Sequence, residues 1–142
     1  LTPNIKYDLY GMEAHQPVWA DNFINKISNS KMGLNLSQGK AVKYYSSDRF
    51  AQLIGNGLLV LVDEKTKFKN FLNNKEIVTY KNINDLANKI IKFNNNDRLR
   101  KKIAKRGREK YHKFFNSKII AEYIINKTLS IKTKKYFWET KL

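Results

Sequence analysis

Cysteine is missing from this chain altogether. Disulfides, thiolate metal sites and thiol nucleophiles are therefore excluded, which fits a reducing, cytosolic setting. Histidine is nearly missing too. His15 and His112 stand far apart and have no cysteine partners, so a zinc site has no ligands at workable spacing, and no metal is expected. With only two prolines there is no proline-rich linker. The six glycines match neither G-x-G-x-x-G nor the P-loop pattern, which argues against those two modes of nucleotide binding. No window reaches the ~18 consecutive apolar residues of a membrane span. The start carries no basic segment followed by an apolar one, so it does not read as a signal peptide, and Leu1 in place of Met suggests processing or an excised boundary. Acidic side chains are scarce as well: 12 against 28 Lys and Arg, for a formal charge of +16.

What is present is enough for a core. The 142 residues are 42% hydrophobic and 13% aromatic, the size and composition of one folded domain. Three explanations compete for the charge. It can be a Lys- and Asn-rich bias spread over solvated faces, a basic patch for an anionic membrane surface, or a nucleic-acid interface. Lysines occur in almost every segment, which favours the first and makes nucleic acid the least supported. A protein of this kind is expected in the cytoplasm, peripheral to the inner membrane surface if the patch is used.

Hydrophobic periodicity orders the elements. "IKYDLYG" (5–11) alternates as a short strand should. "PVWADNFINKISNS" starts a helix at Pro17, with Trp19, Phe23, Ile24 and Ile27 on one face. "KMGLNLS" (31–37) predicts a strand, and Phe50, Leu53 and Ile54 a helix stopped at Gly55 and Gly57. "LLVLVD" (58–63) is continuously apolar, as a strand covered on both faces of a parallel sheet must be. "FKNFL" reads as one helical turn and "EIVTY" (76–80) as a strand. Ile83, Leu86, Ala87, Ile90 and Ile91 mark the next helix, capped by Asn82 or Asn84. Leu99, Ile103, Tyr111, Phe114 and Phe115 line another, with "RLRKKIAKRGREKYHK" as its solvated charge face, and "NSKIIAEYIINKTL" is the last. The order is α/β: a Rossmann-like parallel sheet with flanking helices and a helical C-terminus. So few strands suggest that earlier β-α units are missing, and such a sheet can pair its open edge with a second copy, a homo-oligomer. Residues 1–130 form the domain, and 131–142 a basic, aromatic tail expected to be loosely held, although its rings Tyr136, Phe137 and Trp138 can dock on the body.

Ligands of open parallel sheets bind beyond the carboxyl ends of the strands. The turn "VKYYSSDRF" enters a helix at that edge, and a helix N-terminus with its free N–H groups attracts phosphate. Ser46 or Ser47 caps the helix and can also donate to a ligand. Lys40, Lys43 and Arg49 add positive charge, Arg49 with bidentate geometry. Tyr44 or Tyr45 can stack on a base or simply pack as core. His15, Asp63 and Glu64 fall on the same predicted edge, more plainly as loop and turn residues than as a base or sugar contacts. The alternative for the whole turn is a well-capped surface helix.

"GLNLSQGKAVKYYSSDRFAQLIGNGLLVLVDE", "KEIVTYKNINDLANKI" and "DRLRKKIAKRGREKY" together resemble the C-terminal half of GT-B glycosyltransferases, in the group 1 branch related to spore-maturation proteins. The resemblance spans residues 5 to 127. It implies two Rossmann-like domains, of which this one binds a nucleotide-diphospho-sugar while an N-terminal acceptor domain, absent here, faces it. It implies no metal or other cofactor. Lys40, Lys43, Ser46, Ser47 and Arg49 would hold the diphosphate, Gln52 the ribose, and Tyr44, Tyr45 and Asp48 would shape the sugar side. Two glutamates common in relatives align with Tyr44 and Gln52, so this chain offers an amide where a carboxylate is usual, and Asp48 stands near enough to substitute. The expectation is the donor-binding portion of a sugar transferase, inactive without its acceptor domain. The alternative is a non-catalytic basic module for RNA or an anionic membrane.

Overall fold

The computed structural model describes residues 5–11, 14–36 and 39–141. The chain runs through α1 (Ala20–Ser28), β1 (Met32–Asn35), α2 (Asp48–Gly55), β2 (Leu59–Asp63), β3 (Val78–Tyr80), α3 (Ile83–Asn94), α4 (Asp97–Phe114) and α5 (Ser117–Thr128). Short 3-10 turns at Glu64–Thr66 and Phe68–Asn70 lie between β2 and β3, and another at Phe137–Thr140 follows α5. The strands pair in parallel in the order β1-β2-β3, with Met32 opposite Leu59, Asn35 opposite Val62 and Asp63 opposite Tyr80. This is the Rossmann-like α/β arrangement that the alternation of strands and helices predicts.

The central strand explains why. Leu59 through Val62 are all buried, and their alternation sends them to opposite faces. Val60 and Val62 join Phe50, Leu53, Ile54, Phe68, Phe71, Leu72 and Ile77 on the side of α2, a face rich in rings. Leu59 and Leu61 join Val78, Tyr80, Leu86, Phe93, Ile103 and Ala104 on the side of α3. A strand apolar on one face only would leave half of this core unbuilt.

Helix α2 is short but firmly bounded. Ser47 accepts the Phe50 N–H at its start (3.3 Å). At its end Gly57 takes φ +84°, while the Gly57 N–H meets the Ile54 carbonyl and the Leu58 N–H meets that of Leu53. That pair of bonds is a Schellman motif, and glycine is the residue that adopts its left-handed position without strain. Helix α4 crosses the chain so closely that a Cβ on Gly107 would collide with the Glu76 carbonyl. His112 fastens α4 to the C-terminal end of α2 through Gly55 (3.0 Å), and buried Arg100 fastens its start to the Lys31 carbonyl (3.0 Å) and Asp97 (3.0 Å).

Several expectations need correction. Residues 5–10 form no strand: Tyr7 is 61% exposed and Leu9 stays exposed, so the alternating side chains have no core to face. The first helix begins at Ala20 rather than Pro17, and Trp19 and Ile24 turn to solvent, leaving Phe23 and Ile27 to make its contact with the core. The strands are shorter than 31–37 and 76–80. Ile83 is exposed: it opens the first turn of α3, only two residues (Lys81 and Asn82) after β3 ends. The rings of the tail do dock, over residues 136–138. Phe137 stacks on Phe114 at 4.3 Å and Trp138 on Phe115 at 5.6 Å, while Tyr123 meets Trp138 edge-on. Lys127 pairs with Glu139 at 2.8 Å.

Candidate functional site

The start of α2 lies at the carboxyl end of β1, because α2 is the crossover between β1 and β2. Ser47 ties the two together: its hydroxyl donates to the side-chain oxygen of buried Asn35, the last residue of β1 (2.8 Å), while accepting from Phe50. The first helical turn is thus held against the strand end. Among the described residues the amides of Asp48 and Arg49 have no acceptor. They are the N–H groups a helix start leaves for an anion.

The other predicted residues divide. The Arg49 guanidinium donates to the Leu36 carbonyl (3.2 Å), which bends it back over the loop leaving β1. Lys43 lies over the Tyr44 ring, 4.6 Å from its centre. Tyr44 takes a left-handed backbone (φ +62°), its N–H bonds the Thr66 carbonyl (2.8 Å), and its hydroxyl accepts from the Asn70 amide (2.6 Å). Its half-buried ring packs edge-on against Phe71, at the border of the ring-rich core. Tyr45 is the exposed ring of the pair (51%). Lys40 and Ser46 are exposed, and Gln52 is half-buried one turn into the helix. Asp48 is exposed as well, and its charge helps to raise the pKa of the Tyr111 hydroxyl, though burial is the larger cause. A carboxylate there sits well with the helix dipole but opposes a second anion. Ser37 and Gln38, in the loop leaving β1, lie outside the described residues.

Sequence reading missed the second half of this rim. Asn35, Thr66 and Asn70 position the predicted residues: Asn35 orients Ser47, the Thr66 carbonyl holds Tyr44, and Asn70 holds its hydroxyl. A polar residue inside the apolar run "MGLNL" was the available signal for Asn35. Asp63 ends β2 by accepting the Lys65 N–H (2.8 Å), and its charge adds to burial in raising the Tyr80 pKa. Glu64 pairs with Lys69 (3.5 Å). His15 is not delivered to the rim by a strand, since among the described residues none precedes it. It lines a shallow cleft of about 550 Å³ with Tyr7, Asp8, Leu9, Tyr10 and Lys26. A second cleft, about 360 Å³, is lined by Lys75, Glu76, Arg106, Glu109, Lys110, Lys113 and Phe114. Neither borders the start of α2. Among the described residues no three His, Asp or Glu side chains gather as a metal shell would require.

No curated protein and no solved structure matches this chain. The family model described as "Glycosyl transferase-like" does match, over residues 2–126, which takes in the whole sheet, its flanking helices and the rim at α2. On that match the chain belongs to the glycosyl transferase-like family.

Proposed function

We propose that the chain is the donor-binding domain of a GT-B-type sugar transferase of the group 1, spore-maturation-related branch, and that a nucleoside diphosphate-sugar docks at the start of α2. One observation carries the reading. The amides of Asp48 and Arg49, without an acceptor among the described residues, lie at the carboxyl rim of a parallel sheet, and the same rim carries exposed Arg49, Lys40 and Lys43. The family match supports it from a separate direction.

In this reading the pyrophosphate accepts from those two amides, and Arg49 and the lysines neutralise it. Tyr45, the exposed ring, stacks on the base, and Gln52 reaches the ribose. During transfer the bond between the anomeric carbon and the diphosphate oxygen breaks. The acceptor hydroxyl forms the new bond and passes its proton to the leaving diphosphate, which has kept the electron pair of the broken bond. Charge grows at the positive end of the α2 dipole, and Arg49 would turn to it from the Leu36 carbonyl, so both stabilise the transition state more than the ground state. The acceptor would be held by a second domain.

A thermal-shift panel of UDP, GDP, ADP and CDP tests this. One of them at about a hundred times its Kd should raise Tm by roughly 5–10 °C. Arg49→Ala should abolish most of the shift, and Gln52→Glu should alter it without unfolding the chain. Silence across the panel would rule the reading out.

A further inference from the structure

Helix α5 is apolar on two opposite sides. Its inward side carries Tyr123 and Asn126, and the tail covers it: Tyr136 and Trp138 pack edge-on against Tyr123, and Asn126 donates to the Tyr136 hydroxyl (2.9 Å). At 100° per residue, Ala121, Ile124, Ile125 and Thr128 fall on the side away from that contact. Ile124 is 57% exposed, Ile125 54%, Leu129 65% and Ile131 50%, and no residue of α5 is buried. Ile131 is not a frayed end. Its N–H folds back onto the Asn126 carbonyl (2.9 Å), which keeps it beside the last turn of α5. Four large aliphatic side chains within eight positions are thus presented to water together.

Cations surround this strip. Lys118 lies seven residues before Ile125, on the same side, and Lys132, Lys134 and Lys135 follow Ile131 directly, all exposed. Glu122 is the one acidic residue from Ser117 to Lys135. An apolar strip hemmed by lysines is the chemistry that rests on an anionic bilayer, with aliphatic groups in the acyl boundary and ammonium groups among lipid phosphates. RNA would use the lysines but gain nothing from exposed isoleucines, and a second copy of this chain would bring the same positive charge against itself. Among the described residues no helix is long and apolar enough to cross a membrane, so the contact is a surface one. We propose that the outward face of α5, with Ile124, Ile125, Leu129 and Ile131 and the lysines at 118, 132, 134 and 135, docks the protein on an anionic membrane surface.

Co-sedimentation with phosphatidylcholine vesicles, with and without about one-third phosphatidylglycerol, tests this on the whole chain. Binding should require the anionic lipid. Ile124→Ser with Ile125→Ser should weaken it on the order of tenfold or more at unchanged Tm, since both positions are exposed. Lys132→Glu with Lys134→Glu and Lys135→Glu should remove the preference for anionic vesicles. Three results would each overturn the proposal. The first is no binding to either vesicle. The second is binding that the serine variant leaves intact, which would indicate charge alone and is settled by whether RNA competes. The third is a dimer that the serine variant dissolves in the absence of any lipid binding, which would assign the face to a second copy.

Discussion

Helices α2 and α5 are built from the same parts and end in different circumstances. Each starts with a side-chain cap, Ser47 or Asn116, and each closes with a left-handed residue, Gly57 or Ser130. Helix α2 buries Phe50, Leu53 and Ile54 against the sheet, while α5 buries nothing and depends on rings from the tail. Helix formation alone is marginal at these lengths, so position comes from packing. The amides at the start of α2 are consequently fixed relative to the strand ends, which a pyrophosphate site needs. The α5 segment is attached by a smaller contact, which suits a surface that meets a deformable partner.

The contrast can be broken most severely at Phe50, which is 1% exposed and stacked on Phe68 at 4.5 Å. Phe50→Ala should cost about 3–5 kcal/mol and unfold the body, whereas Trp138→Ala at the half-buried tail should cost roughly 1–2 kcal/mol. Urea titration followed by circular dichroism separates the two. If Trp138→Ala proves as damaging as Phe50→Ala, α5 and its tail belong to the main core after all.

Next comes the cap. Ser47→Ala removes the acceptor for Phe50 and leaves the buried Asn35 oxygen without its donor, for about 2 kcal/mol. It should also weaken any nucleotide-induced shift, because the first turn loses its tie to β1. A smaller effect of opposite sign is expected at the far end of α5. Ser130 has φ +54° where α2 uses glycine, so Ser130→Gly should gain about 0.5–1 kcal/mol in the same titration.

The smallest effects are pH dependent and divide between the regions. The Glu139 pKa is lowered, first by the hydrogen bond from Lys127 and then by the Tyr136 N–H. Its contribution is present above the ordinary carboxylate range and is lost as pH falls below about 4. With Trp19→Phe leaving Trp138 as the lone tryptophan, acid should change its fluorescence before the body loses helix. Tyr80 and Tyr111 have raised pKa values, chiefly through burial. They favour the folded state up to about pH 10 and cease to as pH rises further, so the body should weaken on the alkaline side.

Much of the fold was legible because it follows from local pattern. The unbroken apolar run of β2, the Phe50, Leu53 and Ile54 spacing of α2 and the asparagine cap of α3 each state their role in a few residues. What failed required knowing neighbours. Alternation in residues 5–10 looked like a strand until no core lay beneath it. Trp19 and Ile24 had helical spacing but nothing to pack on. The rings at 136–138 invite docking, but which residues of α4 and α5 receive them is something no nearby residue reveals. In the candidate site the cap and the basic residues could be read, whereas the core role of Tyr44 depended on Phe71 and Asn70, more than 25 positions away.

Helix α4 gives Ile103 and Ala104 to the α3 side of the sheet and Tyr111 to the α2 side, where Phe115 follows at its C-cap. A single rod therefore seals both halves of the interior, and lifting it floods them together. The two layers should therefore melt as one unit, and the rim where α2 meets β1 should loosen only with the body as a whole.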